Sequence, residues 1–294
     1  MNVWQIGNVK VTRVVEIEMV GGTRFILPDA APDKVLPIKW LYPHFMNEKG
    51  KLIMSVHALV IDTGERRIIV DTCIGNDKER EIAGWNNLQT TFLDDLEAAG
   101  YAPADIDTVL CTHLHVDHVG WNTRLVDGKW VPTFPNARYL YAKSEWDHWA
   151  SGDGDKYGEA YEDSVKPIFD LGLADLVDCN EQICDEVSLV PTPGHTPGHV
   201  SVRISSEGKE AFITGDALHH PCQMARLDWA ASADADPEQA RQTRRDMLSS
   251  LADSDTLVFG THFATPSAGH VVSDSDGTFR LEVSRQSGDD FSVK

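Results

Sequence analysis

The chain has 294 residues, 41% of them hydrophobic and 24% charged, with a formal net charge of −20. That balance supports a sizeable buried core and argues against a phosphate backbone as partner, since an acidic surface repels nucleic acid and no Lys/Arg run offsets it. Five cysteines, an odd number with no C-x-x-C pair, exclude a disulfide framework, and no apolar run approaches a membrane span.

In chain order, "VWQIG" and "VKVTRVVEIE" read as strands. An irregular segment rich in Pro and aromatics follows at residues 19–51, long enough to suggest a lid, a substrate-site loop or an oligomer loop. "SVHALVIDTGERRIIVDTCIG" reads as a hairpin turning at Thr63-Gly64. "TTFLDDLEAAG" predicts a helix closed by Gly100, and "IDTVLCTH" a buried strand. "AKSEWDHWA" and "DSVKPIFDLG" look helical, and "VSLVPTPGH" is a strand entering a Pro/Gly turn. A second hairpin turns at Glu207-Gly208. Asp236 as N-cap and Pro237 at the first helical position open an amphipathic helix, and "DTLVFGTH" is a last core strand. No repeat or Gly/Ser linker divides the chain, so one domain over 1–294 is expected. Alternation of β-rich blocks with helices suggests two face-to-face sheets with helices outside.

The chemistry concentrates at strand ends. "TVLC" precedes His113, "VSLVP" precedes His195, "AFIT" precedes Asp216 and "TLVF" precedes His262. Rigid sheets aim the side chains that follow them. Within "HLHVDH", His113 and His115 share a face of extended chain, while Asp117 and His118 reach a neighbouring point. Each pair falls short of the three protein ligands usual for a catalytic zinc, so the other strand ends must contribute. Imidazole and carboxylate without cysteine suit an open site for zinc, iron or manganese rather than a closed structural one. A dense cluster of this kind marks a metal site far better than a lone histidine would.

"THLHVDH", "TPGHTPGH", "TGDA" and "GTH", in that order, resemble the metal motifs of the metallo-β-lactamase superfamily across about residues 50–265. The resemblance implies an α/β fold, a four-layer αβ/βα sandwich with a dinuclear metal site at the sheet edge. It implies that His113, His115 and His195 hold one ion, that Asp117, His118 and His262 hold the second, and that Asp216 bridges them. Asp71 in "IIVDTCIGN" matches a motif whose Asp supports a ligand rather than serving as one. The ions would be two divalent metals, zinc first, with iron, manganese or cobalt as alternatives.

Chain length, the long N-terminal segment and the "TPGHTPGH" form look most like the branch holding N-acyl-homoserine lactonases and methyl parathion hydrolase. That implies a metal-bridging hydroxide attacking a lactone or ester-type small molecule. Lactonases place a Tyr three residues after the bridging Asp, whereas this chain has His219 there, with His220 beside it. Asp117 and His219 are therefore the acid/base candidates, and His199 is expected to be structural. Phe25, Trp40, His57, Trp85 and Trp121 are candidate pocket walls, and Cys222 is not expected to be a nucleophile. Alternatives are an organophosphate triesterase or, in a different class, a mono-iron oxidoreductase like persulfide dioxygenases. The expected partner is a small molecule, with no nucleic acid or membrane, and the chain admits a homodimer. Free cysteines and the absence of a leader-like start suggest a cytoplasmic setting.

Overall fold

The computed structural model describes residues 2–151 and 160–283. The first half runs through β1 (Asn2–Ile6), β2 (Val9–Val20), β3 (Ile53–Asp62), β4 (Arg67–Val70), β5 (Thr108–Leu110), a hairpin of β6 (Thr123–Val126) and β7 (Lys129–Pro132), β8 (Arg138–Ala142) and β9 (Ala174–Val177). The second half contributes β10 (Gln182–Cys184), β11 (Val187–Pro191), β12 (Val200–Ser206), β13 (Lys209–Ile213), β14 (Leu257–Phe259), β15 (Ala268–Ser273) and β16 (Phe279–Glu282). Two seven-stranded sheets result, ordered β1-β2-β3-β4-β5-β8-β9 and β10 to β16 in sequence.

Antiparallel pairing runs from β1 to β4, and parallel pairing from β4 through β5 and β8 to β9. In the second sheet only β13 and β14 pair in parallel. Parallel neighbours need a crossover. The helix Phe92–Ala98 lies between β4 and β5, and the helix Pro237–Leu251 between β13 and β14. The second starts as the sequence predicts, with the Asp236 carboxylate accepting from the Glu238 and Gln239 amides and Pro237 in the first turn.

Three apolar clusters stack through the molecule. Val11, Ile61, Val70 and Leu110 of the first sheet meet Val202, Ile204, Ile213 and Phe259 of the second. Outside the first sheet, Val109 and Tyr139 pack with Phe92, Leu96 and Ile168 of its helices. Outside the second, Phe212 and Val258 pack with Met247, Leu248 and Leu251. Helix, sheet, sheet, helix is the expected order of layers.

Residues 19–51 depart from a plain surface loop. Leu27, Val35, Leu41 and Phe45 are fully buried against Met224, Leu248 and Phe263 of the second half. The segment is part of the core because its aliphatic and aromatic side chains cover an otherwise bare flank of the second sheet. Strands β6 to β10, β15 and β16 have no counterpart among the elements the sequence predicts. They are short and carry charged or exposed positions that dilute alternation.

Candidate metal centre

β5 stops at Leu110, and the chain bends at Thr112 and His113 on its way to His115, the N-cap of the one-turn helix Val116–Val119. That turn carries Asp117 and His118 back toward the same rim. His195 arrives on the turn after β11, Asp216 on the 3-10 turn after β13, and His262 after β14. The rim is sealed between sheets, since the Ser55 amide donates to the His262 carbonyl at 3.1 Å.

The side chains of the four motifs gather at this rim. His113, His115 and His195 converge, as do Asp117, His118 and His262. His115 Nδ1 lies 2.9 Å from His113 Nε2 and 2.8 Å from His195 Nε2. His262 Nε2 stands 3.4 Å from Asp117 Oδ2, and His118 Nε2 stands 3.7 Å from Asp117 Oδ1. Asp216 lies between the two sets. Its Oδ2 is 3.5 Å from His195 Nε2 and 3.3 Å from His118 Nε2, and its Oδ1 is 3.2 Å from His262 Nε2. Tetrahedral zinc with metal–nitrogen bonds near 2.0–2.1 Å separates its donors by about 3.3 Å, so these spacings bracket what a cation requires. Asp216 Oδ1, His118 Nε2 and both ring nitrogens of His219 are buried without a hydrogen-bond partner. Buried polar atoms rarely stay unpaired, and this donor set fits cations.

Supporting contacts fix which nitrogen faces inward. Asp71 accepts from the Thr112 amide at 2.8 Å and lies 2.9 Å from His118 Nδ1, which leaves His118 Nε2 free. The Ser55 carbonyl accepts from His262 Nδ1 at 3.0 Å. Asp234, which no sequence signal flagged, lies 2.9 Å from His195 Nδ1 and accepts from the Ala231 amide. His199 is not a donor to the centre: its Nε2 accepts from the Asp216 amide at 2.8 Å, and its Nδ1 faces Thr192.

Burial, with neighbouring imidazoles, pushes His113, His115 and His195 well below the usual histidine range, so they are neutral donors. Burial would also lower His118 and His262, but the carboxylates of Asp216 and Asp117 outweigh it and hold both above that range. Burial would raise Asp216, but His262, His118 and His219 outweigh it and keep it ionised.

The cluster floors a cleft at the rim. Met19, Phe25, Ile26, Met54, Val56, Ile82 and Trp85 form its apolar walls. Phe25 and Trp85 meet edge to face at 5.9 Å. The other three expected walls lie elsewhere. Trp121 stacks on Phe92 and donates to Glu16, Trp40 packs on the second half's outer core, and His57 is buried beside Ser55. Trp121 and His57 are buried and polar-bonded there, and Trp40 is partly buried.

His219 does face the cleft, with Nε2 3.2 Å from Asp216 Oδ2. His220 turns away, its Nε2 donating to the Phe45 carbonyl while Nδ1 accepts from the Cys222 amide. Cys222 is fully buried outside the cleft lining.

A sandwich of this build, with imidazoles and carboxylates gathered at one rim, has the metallo-β-lactamase fold. The chain belongs to the metallo-beta-lactamase superfamily, whose family model matches residues 53–262. It is 31% identical to N-acyl homoserine lactonase AttM of Rhizobium radiobacter over 134 residues, 43% of this chain and 47% of AttM, so the match spans about half of that relative. It is 24% identical to N-acyl homoserine lactonase AiiA of Bacillus thuringiensis subsp. kurstaki over 227 residues, 72% of this chain and 83% of AiiA. Among solved structures, AidC, a dizinc quorum-quenching lactonase in complex with a product, aligns with a TM-score of 0.78 at 21% identity over 97% of each chain. At that identity the likeness is one of fold.

Proposed function

We propose that this chain is a metal-dependent hydrolase acting on uncharged lactones or esters with an apolar acyl or aryl group. One observation supports the reading: two groups of possible donors flank Asp216 at the floor of a cleft whose walls are apolar. Among the described residues that line it, none is Lys or Arg. An anionic substrate group held against these walls, away from the ions, would therefore lack a countercharge, at a cost in desolvation. Small lactonase relatives support the same substrate class.

His113, His115 and His195 would hold one divalent ion, Asp117, His118 and His262 the other, and Asp216 both. Zinc suits the nitrogen-rich set. Two bound ions would supply an activated hydroxide and polarise the scissile carbonyl. The protein's own part is to hold the donors through Asp71, Ser55 and Asp234, to exclude water with Phe25 and Trp85, and to pass a proton at the leaving oxygen. His219 suits that last task because its ring nitrogens are uncommitted beside Asp216. Asp117, a ligand first, is the second candidate. The unit is a single domain in which residues 19–51 shape the substrate site. Its unpaired cysteines suit a reducing cytoplasm, and among the described residues no helix is long and apolar enough to cross a membrane.

The test is a substrate panel on metal-loaded protein: acyl-homoserine lactones of several chain lengths, aryl esters and paraoxon-type triesters. Lactone or ester turnover that chelation abolishes and zinc or cobalt restores is expected. One iron per chain with oxygen uptake on persulfides would overturn it. His219→Ala is expected to keep both ions and lower kcat about a hundredfold or more. Intact kcat would remove His219 from the mechanism.

A further inference from the structure

Glu145 lies in the helix Lys143–Ala150, well away in sequence from every donor, yet it is buried at the rim. Its Oε1 accepts from the Leu114 amide at 3.1 Å, the peptide between His113 and His115. The same oxygen accepts from Trp149 Nε1 at 2.8 Å, and the Trp149 ring meets the His115 ring edge to face at 5.8 Å. Its Oε2 accepts from the Gly198 amide at 3.1 Å, in the turn that carries His195. The contact is close: a Cβ on Gly198 would stand 2.1 Å from the Glu145 nitrogen. One carboxylate thus ties a turn of the first sheet to a turn of the second, and both turns carry donors of the same triad.

We infer that Glu145 is a positioning residue for the His113/His115/His195 ion, holding the two donor turns at the spacing the ion needs. Its contacts are with Leu114, between two donors of that ion, with Trp149, which packs on His115, and with Gly198, in the turn of His195. The inference rests on the two-ion reading and adds an asymmetry to it: loss of Glu145 should loosen one ion and spare the other. Glutamine has the right size but replaces one acceptor oxygen with an amide donor. It must face either Leu114 and Trp149 or Gly198 with N–H against N–H.

The experiment is stepwise Co(II) titration of the metal-free full chain, following the visible spectrum and total metal, for wild type, Glu145→Gln, Glu145→Asp and Trp149→Phe. Glu145→Gln is expected to weaken one ion about 10–100-fold, as loss of a ligand's support typically does, and leave the other unchanged. Trp149→Phe, which removes one donor to the carboxylate, should weaken the same ion by a smaller factor. Should Glu145→Gln not fold, Glu145→Asp and Trp149→Phe carry the test by the same selective loss. Equal weakening of both ions, or wild-type affinity for both in every folded variant, would overturn the inference. A wild-type chain that binds no ion would sink the two-ion reading along with it, and only then is the failure not specific to Glu145.

Discussion

Two buried groups of charge stand in contrast. In the first half of the chain, Asp163 takes Arg80 through both oxygens, at 2.7 and 3.1 Å. Lys78 donates to Thr123 at 2.8 Å, lies 3.5 Å from Asp163 and sits over the Trp130 ring at 3.7 Å. At the rim, by comparison, nitrogens point at nitrogens, and Asp216 Oδ1, His118 Nε2 and the His219 ring lack hydrogen-bond partners. The first group meets most of its electrostatic demand from within the chain. The second is arranged for something brought from outside. Burial alone does not distinguish structure from function; the direction of the unspent donors does.

The contrast can be broken from either side. Asp216→Ala should lower kcat/KM by about a thousandfold or more, roughly 4 kcal/mol in the barrier, because both ions lose a donor. The unfolding free energy of the metal-free form should change by only about 1 kcal/mol, as measured by urea titration. A large loss of metal-free stability would make the rim a structural cluster like the other. Asp163→Ala should do the reverse. It strands two buried cations and should cost about 3–5 kcal/mol of unfolding free energy, with two ions still bound per folded chain.

A more gradual effect concerns pH. Burial pushes Lys78 down to about 7 against the pull of Asp163. Its folded value lies below its unfolded one, so between pH 7 and about 10 the unfolded chain binds more protons. Stability from this group should therefore rise with pH across that window and stay flat below it. The difference in unfolding free energy between wild type and Lys78→Met, measured from pH 6 to 10, should grow by at most about 1.4 kcal/mol per pH unit. A flat difference would show that Lys78 keeps its proton throughout.

The donor set was legible because each member follows a run of apolar β-formers, and such runs end at a sheet rim. His113, His115, Asp117 and His118 also lie close enough along the chain for local geometry to place them. Their supports were harder to see. Asp71 could be picked out only through the resemblance, while Asp234 sits 39 residues from His195 in a stretch with no periodic pattern. Glu145 looks like any acidic residue on a helix until the turns of two sheets meet above it. His219 and His220 were equivalent as letters. One hydrogen bond to the Phe45 carbonyl separates them, and that bond spans 175 residues. The layers followed from alternating blocks, but the burial of residues 19–51 did not, because proline and aromatics say nothing about which surface will receive them.

That buried segment has a consequence for remodelling the molecule. Thr23, Phe25 and Ile26 face the cleft, while Leu27, Val35, Leu41 and Phe45 are anchored among Met224, Trp229 and Phe263. The wall is thus a graft rooted in a distant stock. Exchanging residues 21–52 with those of a relative would change selectivity only if the receiving surface around residues 222–231 travelled with it. The two stretches form one packing unit, although 169 residues of chain lie between them.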